Sequence, residues 1–311
     1  MRKFYREIVL IGGGLMEWLI PFIVLVGLIF VYSRFSSFKF SSPPKDLEMK
    51  PVKGLKKISD HLERSLGNVF MGNVEERVRR SNKLKEHEYE WRLLDLKRYF
   101  VLTALLKETP MFSVKVDELW HEMLMFTREY DDFSKKYLGN TLHHSPNVTI
   151  EPDPDLRGFF DWVYCELFFI RSENIQLYKG FFRHPVNPEV IEKFRNLPEN
   201  ELIEIYFKYS TKFPETVFTL VSAMKNTAFN IKKYDKNTIH EKIKKSKEQK
   251  KFNAMIIPFL SVSYFYYDEF SSYMKISSDH SSSSTSCGAG EFCSSDSKCS
   301  SSCSSCGGGG D

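Results

Sequence analysis

The sequence predicts a mainly α-helical protein with a membrane anchor at its N-terminus and a low-complexity tail at its C-terminus. In the central region, apolar residues recur at three- and four-residue intervals, which is typical of amphipathic helices. No stretch shows strand alternation with hairpin turns. With 311 residues, of which 15% are aromatic and 27 are Phe, the chain has enough apolar material to bury a sizeable core.

Residues 1–35 are predicted to form a single-pass transmembrane anchor. Glu17 is the only charge in the 25 residues from Ile8 to Tyr32, and a helix of that length crosses a hydrocarbon layer of ~30 Å at about 1.5 Å per residue. A cleaved signal peptide is the alternative, because the first residues are basic. It is disfavoured because no small-x-small cleavage site lies near Tyr32.

A strongly basic segment at residues 225–251 favours a cytoplasmic position for the soluble part. It has ten lysines against three acidic residues and is followed by the apolar run 252–267. A polybasic segment beside an apolar, aromatic one suits the anionic cytoplasmic leaflet. The alternative interpretation is a solvated helix face that leads into a buried core helix.

Between the anchor and residue 150 the sequence predicts a linker and then a helical domain. Residues 36–72 are rich in Ser, Pro and Lys without a sustained period, and they are predicted to be a linker. Residues 73–150 form the helical domain. Asn73 is a candidate N-cap, a polar half runs from there to Glu90, and a wide apolar stripe over residues 91–106 follows.

The stretch from Val116 to Pro146 contains the candidate site. Its apolar spacing predicts one amphipathic helix from Val116 to Tyr137, with Ser113 or Asp117 as N-cap. Gly139-Asn140 is a helix-stop signal, so His143 and His144 are expected in the loop that follows.

Asp117 and His121 are four residues apart and therefore share one face of this helix. If the loop folds back, one of the paired histidines, His143 or His144, reaches the same face. Three such N/O ligands with an open position are typical of a catalytic zinc or other transition-metal site. The alternative is structural, with His121 packed beside Trp120 and hydrogen-bonded to the loop.

The same stretch resembles the helical domain of the glycine-rich domain-containing protein family of plants, fungi and bacteria. The resemblance lies in a Val-Asp-x-x-Trp-His, Thr-x-x-Tyr, Gly and His-His-x-Pro pattern, here Val116, Asp117, Trp120, His121, Thr127, Tyr130, Gly139, His143, His144 and Pro146. It implies a fold more than an activity. Members often carry further histidines where this chain has Met123 and Phe126, a departure that weakens the metal interpretation.

Residues 151–275 are predicted to add helices that pack on this domain, including one over residues 159–182 in which Cys165 is a buried small hydrophobe. Shorter helices are expected at Pro188, over Glu199–Tyr209 and over Pro214–Met224. Residues 276–311 are a Ser/Gly/Cys-rich tail, predicted to be disordered. Its thiols Cys299, Cys303 and Cys306 could chelate a soft metal, since the last two have C-x-x-C spacing.

The composition excludes several functional classes. The formal net charge of +4 is too small to indicate a nucleic-acid partner, and the chain has no P-loop, dinucleotide-binding, GxSxG or HExxH motif. Two classes remain open. The first is a membrane-tethered interaction or scaffold module, with the bilayer and a protein as partners. The second is a metal-dependent enzyme or metal-handling protein.

Overall fold

The chain folds into α-helices in the computed structural model, which describes residues 38–81, 84–144, 154–208 and 211–275. Within these ranges no β-strand forms, and extended backbone pairs only at two isolated antiparallel bridges, Met49 with Phe168 and Leu106 with Phe207. The prediction of a mainly α fold is confirmed. The predicted anchor and tail lie outside the described residues. Among the described residues, no helix is both long and apolar enough to cross a bilayer.

The described residues form thirteen α-helices and one 3-10 turn. They are α1 (Leu55–Leu66), α2 (Asn68–Ser81), α3 (Glu88–Leu105), α4 (Val114–Leu124), α5 (Thr127–Leu138), α6 (Pro154–Leu167), α7 (Ser172–Leu177), α8 (Pro188–Asn196), α9 (Glu199–Tyr206), α10 (Pro214–Phe229), α11 (Lys236–Glu248), a 3-10 turn (Phe252–Met255), α12 (Ile256–Phe265) and α13 (Phe270–Met274).

Helix α3 is the centre of the core. It is buried on nearly every side, which is the pattern of a helix surrounded by others. It packs against α1, α4 and α7. Trp91 and Phe100 are among its fully buried side chains. Helices α1, α4 and α7 therefore take their positions against α3, and α4 carries the candidate site on one of its flanks.

The segment before α1 is bound to this core, which corrects the prediction of a linker over residues 36–72. Phe40 and Leu47 are buried, and α1 itself buries one face through Leu55, Ile58 and Leu62. The burial of this segment could not be predicted from periodicity, because the few apolar side chains among its Ser, Pro and Lys residues are too widely spaced to form a period. We call residues 38–54 the N-terminal strap.

Backbone hydrogen bonds hold the N-terminal strap to the end of α6. The Lys50 N–H donates to the Leu167 carbonyl at 2.7 Å, and the Phe169 N–H donates to the Glu48 carbonyl at 2.9 Å. Nearer the start of the strap, the Ser41 carbonyl accepts from the Trp91 indole of α3 at 2.7 Å. Main-chain and side-chain bonds together make the strap part of the folded unit.

Three predicted helices are divided in the structure. The polar half that begins at Asn73 belongs to α2, which ends before α3 begins, so Asn73 lies inside a helix and is not an N-cap. The helix predicted over Val116–Tyr137 breaks between α4 and α5, and the one over residues 159–182 breaks between α6 and α7. In the last two cases the apolar period continues across the break, so periodicity alone could not locate it.

The basic segment forms a solvated helix face, and much of the apolar run after it is buried; the predicted contact of the lysines with the membrane stays a prediction. Helix α11 buries Ile239 and Ile243 and exposes its lysines, and α12 is largely buried. Cys165 is fully buried on α6, as predicted.

A buried polar network joins α3 to α6 and α7. The carboxylate of Asp95 accepts from the Tyr164 hydroxyl at 2.7 Å and from the Asn174 amide at 2.8 Å. The Arg98 guanidinium donates to the same hydroxyl at 2.8 Å. Burial raises the pKa of Asp95 to about 6, and the positive charge of Arg98 opposes that shift.

Asp161 on α6 should make the stability of the protein depend on pH. It is fully buried and accepts from the Phe182 N–H at 2.7 Å. Burial raises its pKa to about 8, against about 3.9 in an unfolded chain. Between these values the folded state holds one proton more than the unfolded state, so this contribution is present at low pH and is lost as pH rises towards 8.

We therefore expect the free energy of unfolding to fall between pH 5 and pH 8 more steeply in the natural protein than in Asp161→Asn, whose amide does not titrate. Urea unfolding at both values measures the difference. Parallel pH dependences in the two proteins would show that the Asp161 carboxylate is ionised in the fold.

Candidate metal centre

The start of α4 sets the position of the two helical site residues. The Ser113 hydroxyl oxygen caps the helix by accepting from the Val116 N–H at 3.4 Å, and the same hydroxyl donates to the Leu177 carbonyl at 2.8 Å. Ser113 is thus one of the two N-caps that the sequence offered. Asp117 lies in the first turn and His121 one turn later, so both project from one flank of the helix.

The break after α4 positions the loop that carries the third residue. Phe126 leaves the helical conformation, and α5 turns back so that the Trp120 indole donates to the Tyr130 hydroxyl at 3.0 Å. That hydroxyl in turn donates to the Leu142 carbonyl at 2.7 Å. This relay ties the loop after α5 to α4, and Gly139 begins the loop in the left-handed conformation with φ 90°.

Asp117, His121 and His144 converge at this point. His144 Nε2 lies 2.8 Å from Asp117 Oδ1, and His121 Nδ1 lies 3.5 Å from Asp117 Oδ2. His121 Nδ1 also lies 2.8 Å from the carbonyl oxygen of Asp117. One ligand atom from each of the three side chains falls within 4.8 Å of the other two.

The three side chains differ in their exposure to solvent. His144 is enclosed, with 9% of its side chain exposed, and its ring contacts those of Trp120 and His121 at centroid distances of 4.5 and 4.4 Å. His121 is half exposed, at 51%. Asp117 sits between them at 18%. The cluster therefore has one fixed imidazole, one central carboxylate and one imidazole that opens to solvent.

His143 is not part of this cluster. Its side chain is exposed, whereas only 9% of the His144 side chain is exposed. Adjacent residues in an extended segment point to opposite sides, so only one of the pair can face α4. The sequence left open which histidine that is, and the structure selects His144.

The donor set fits a divalent transition metal. Two imidazoles and one carboxylate are suitable ligands for zinc, at bond lengths near 2.0–2.2 Å. Tetrahedral bonds of that length place neighbouring ligand atoms about 3.4 Å apart. His121 Nδ1 and Asp117 Oδ2 are already 3.5 Å apart, whereas His144 Nε2 and Asp117 Oδ1, at 2.8 Å, would have to move apart. The exposed side chain of His121 can rotate about its own bonds to adjust its distance from His144.

Two supporting groups were not found from the sequence. Tyr130 fixes the loop through its hydroxyl, and Tyr99 on α3 lies beside Trp120 with ring centroids 5.4 Å apart. The Tyr99 hydroxyl donates to the Thr109 carbonyl at 2.9 Å. Burial, with a smaller effect of the negative charge of Asp117, raises the pKa of Tyr99 well above its usual value. The recurrence of aromatic residues was visible in the sequence, but their partners depend on the break after α4.

The tail thiols Cys299, Cys303 and Cys306 lie outside the described residues. Their proposed role as soft-metal ligands therefore stays a prediction.

Comparison with known proteins gives one match. A family model described as UCP032817-like matches residues 66–163, a span that includes α3, α4, α5 and the whole cluster. It covers less than half of the chain. No curated protein and no solved structure matches the sequence. The resemblance to glycine-rich domain-containing proteins stays a prediction, since no match bears on it.

Proposed function

We propose that Asp117, His121 and His144 bind a divalent transition metal, with zinc as the first choice. The observation that carries this proposal is the convergence of a carboxylate and two imidazoles from two separate elements within 4.8 Å. Asp117 and His121 are neighbours through helix geometry alone. His144 lies 27 residues after Asp117 in the chain, so helix geometry does not place it there; the Trp120–Tyr130 relay holds its loop against α4.

Such a site suits chemistry at the metal. Three protein ligands leave a fourth position of a tetrahedral ion for water or a substrate, as in catalytic zinc sites. The opening lies on the side of His121, whose ring is half exposed. When bound, zinc supplies Lewis-acid activation of a water or a carbonyl group. The proposed class is therefore a metal-dependent enzyme or a metal-handling protein.

Metal content measured on three histidine variants tests the site. We expect purified full-length protein to hold one zinc ion after dialysis against a weak chelator. His121→Ala and His144→Ala should each reduce metal affinity by at least about tenfold, because each removes one of three ligands. His143→Ala is the matched control, since it is the adjacent residue and lies outside the cluster.

The variants also separate metal binding from simple packing. Added zinc should raise the melting temperature of the natural protein and of His143→Ala, and it should leave that of His144→Ala unchanged, because a ligand stabilises only the state that binds it. Equal zinc content in all three variants would eliminate the site. So would a natural protein that holds no zinc, cobalt, iron or copper.

We further propose that the protein is a single-pass membrane protein whose helical domain lies at the cytoplasmic face. The support is the run of 25 residues with one charge, together with the lysine-rich segment 225–251. A tethered domain of this kind also suits a role as an interaction or scaffold module.

A further inference from the structure

We infer that the lysine-rich surface around α11 docks on the anionic headgroups of a phospholipid bilayer, with Phe169 inside the docked area. The inference rests on the proposed membrane anchor and specifies which face of the domain meets the lipid. We call this area the basic surface. Its exposed lysines are Lys232, Lys233, Lys236, Lys242, Lys244, Lys245, Lys247, Lys250 and Lys251.

These lysines differ from others on the protein in lacking acidic partners. Lys53, Lys56 and Lys135 each lie within 2.6 Å of a carboxylate oxygen. On the basic surface, Lys244 pairs with Glu248 at 3.9 Å, and among the described residues no other acidic group lies within 4.0 Å of these ammonium groups. Residues 225–251 carry ten lysines against Asp235, Glu241 and Glu248, and a net positive field of this kind attracts anionic lipid, at about 1 kcal/mol for each lysine near the surface.

Phe169 adds an apolar group at the edge of the basic surface. Its ring is 48% exposed, and the Lys50 ammonium lies 6.0 Å from the ring centroid. The backbone on both sides is fixed to Asn253, whose amide donates to the Phe168 carbonyl at 3.0 Å and whose side-chain oxygen accepts from the Ile170 N–H at 2.8 Å. On surfaces that bind at a membrane interface, Phe side chains insert at the boundary between headgroups and acyl chains while lysines remain at the headgroups.

A cleft of about 370 Å³ opens within the basic surface between α11 and α12. Lys242, Lys245 and Lys251 line it, with Ile257 and Pro258 on its apolar side. Lysines around an opening suit a phosphate, which accepts charge-assisted hydrogen bonds from ammonium groups. The mixed lining therefore fits the headgroup and first methylenes of an anionic lipid.

The short segment between the apolar run and the N-terminal strap keeps the domain close to the bilayer. The apolar run ends at Tyr32 and the N-terminal strap begins at residue 38, so fully extended backbone between them spans at most about 20 Å. A domain held at that distance meets the bilayer at a high effective concentration. Charge then selects the face that turns towards the lipid.

Lysine labelling of full-length protein in vesicles tests the inference. The protein is reconstituted into phosphatidylcholine alone or with about 30 mol% phosphatidylserine, and a membrane-impermeant amine reagent is followed by mass spectrometry. Lys244, Lys245, Lys247 and Lys251 should react several-fold more slowly on the anionic vesicles. Lys135 and Lys136 on α5 are the internal control and should react equally on both.

Salt and charge variants sharpen the result. Protection should disappear at about 0.5 M salt, where charges are screened beyond a few ångströms. Protection of Lys251, the reporter that remains, should also fall in the triple variant K244Q/K245Q/K247Q, which changes exposed positions and should keep the helical circular dichroism of the natural protein. Equal labelling of the basic surface on neutral and anionic vesicles, or protection that persists at high salt, would overturn the inference.

A carbonate wash of the same vesicles keeps the two proposals apart. Protein released by the wash would refute the anchor, because a spanning helix resists carbonate. Protein that is retained but labelled equally on both lipids would refute the basic surface as the docking face and leave the anchor standing.

Discussion

Gly158→Ala should destabilise the protein by about 3 kcal/mol or more, enough to unfold a marginally stable domain. Gly158 is buried in α6, and a Cβ atom there would lie 2.1 Å from the Pro185 carbonyl oxygen and 2.8 Å from the Val186 nitrogen. Both are backbone atoms, so no side chain can rotate out of the way. The clash is relieved only if α6 and the loop before α8 separate.

Urea unfolding of full-length protein measures this effect, with Gly72→Ala as the matched control. Gly72 is exposed in the interior of α2, and an added Cβ would meet nothing within 4 Å. The same substitution there should stabilise the protein by about 0.5–1 kcal/mol, because alanine loses less backbone entropy in a helix. If the Gly158→Ala protein were as stable as the natural protein, α6 and the loop before α8 would have to lie farther apart than in the structure.

Trp120→Ala should cost about 3–5 kcal/mol, as other large core truncations do. The indole is 3% exposed and packs against Tyr99 and Phe100 of α3, with centroid distances of 5.4 and 5.8 Å. It also donates to Tyr130. The substitution therefore leaves a cavity and releases the loop that carries His144, so metal affinity should fall together with stability.

Trp120→Phe separates the two effects. Phenylalanine keeps most of the packing but has no indole N–H, so the Tyr130 hydroxyl loses its donor. We expect a smaller loss of stability, about 1–2 kcal/mol, and a clear loss of zinc affinity in the same equilibrium titration used for the histidine variants. Zinc affinity equal to that of the natural protein would show that the relay does not position His144.

Sequence patterns predicted the parts of the site that depend on local geometry. The pairing of Asp117 with His121 follows from helix periodicity, and the structure confirms it. Trp120 belongs to the apolar side of the same helix and is buried against Tyr99 and Phe100 of α3. The selection of His144 over His143 could not be predicted, because it depends on where the chain turns after Gly139.

The missed features share a physical cause. A helix break such as that at Phe126 costs little when tertiary bonds compensate, so the apolar period on either side gives no sign of it. The burial of Phe40 and Leu47 in the N-terminal strap depends on contacts with α3 and on residues beyond α6. Contacts so distant in sequence leave no trace in a local pattern.

The N-terminal strap also determines how the domain bears mechanical load. Pulling on the chain at residue 38 would act first on the strap, whose bonds reach α3 through Trp91 and Arg98 and the end of α6 through Leu167. These partners belong to the centre of the core, so the applied force acts on α3 and α6 before it acts on the outer helices. Removing the strap would detach this point of attachment and leave α1 as the first element to peel away under force.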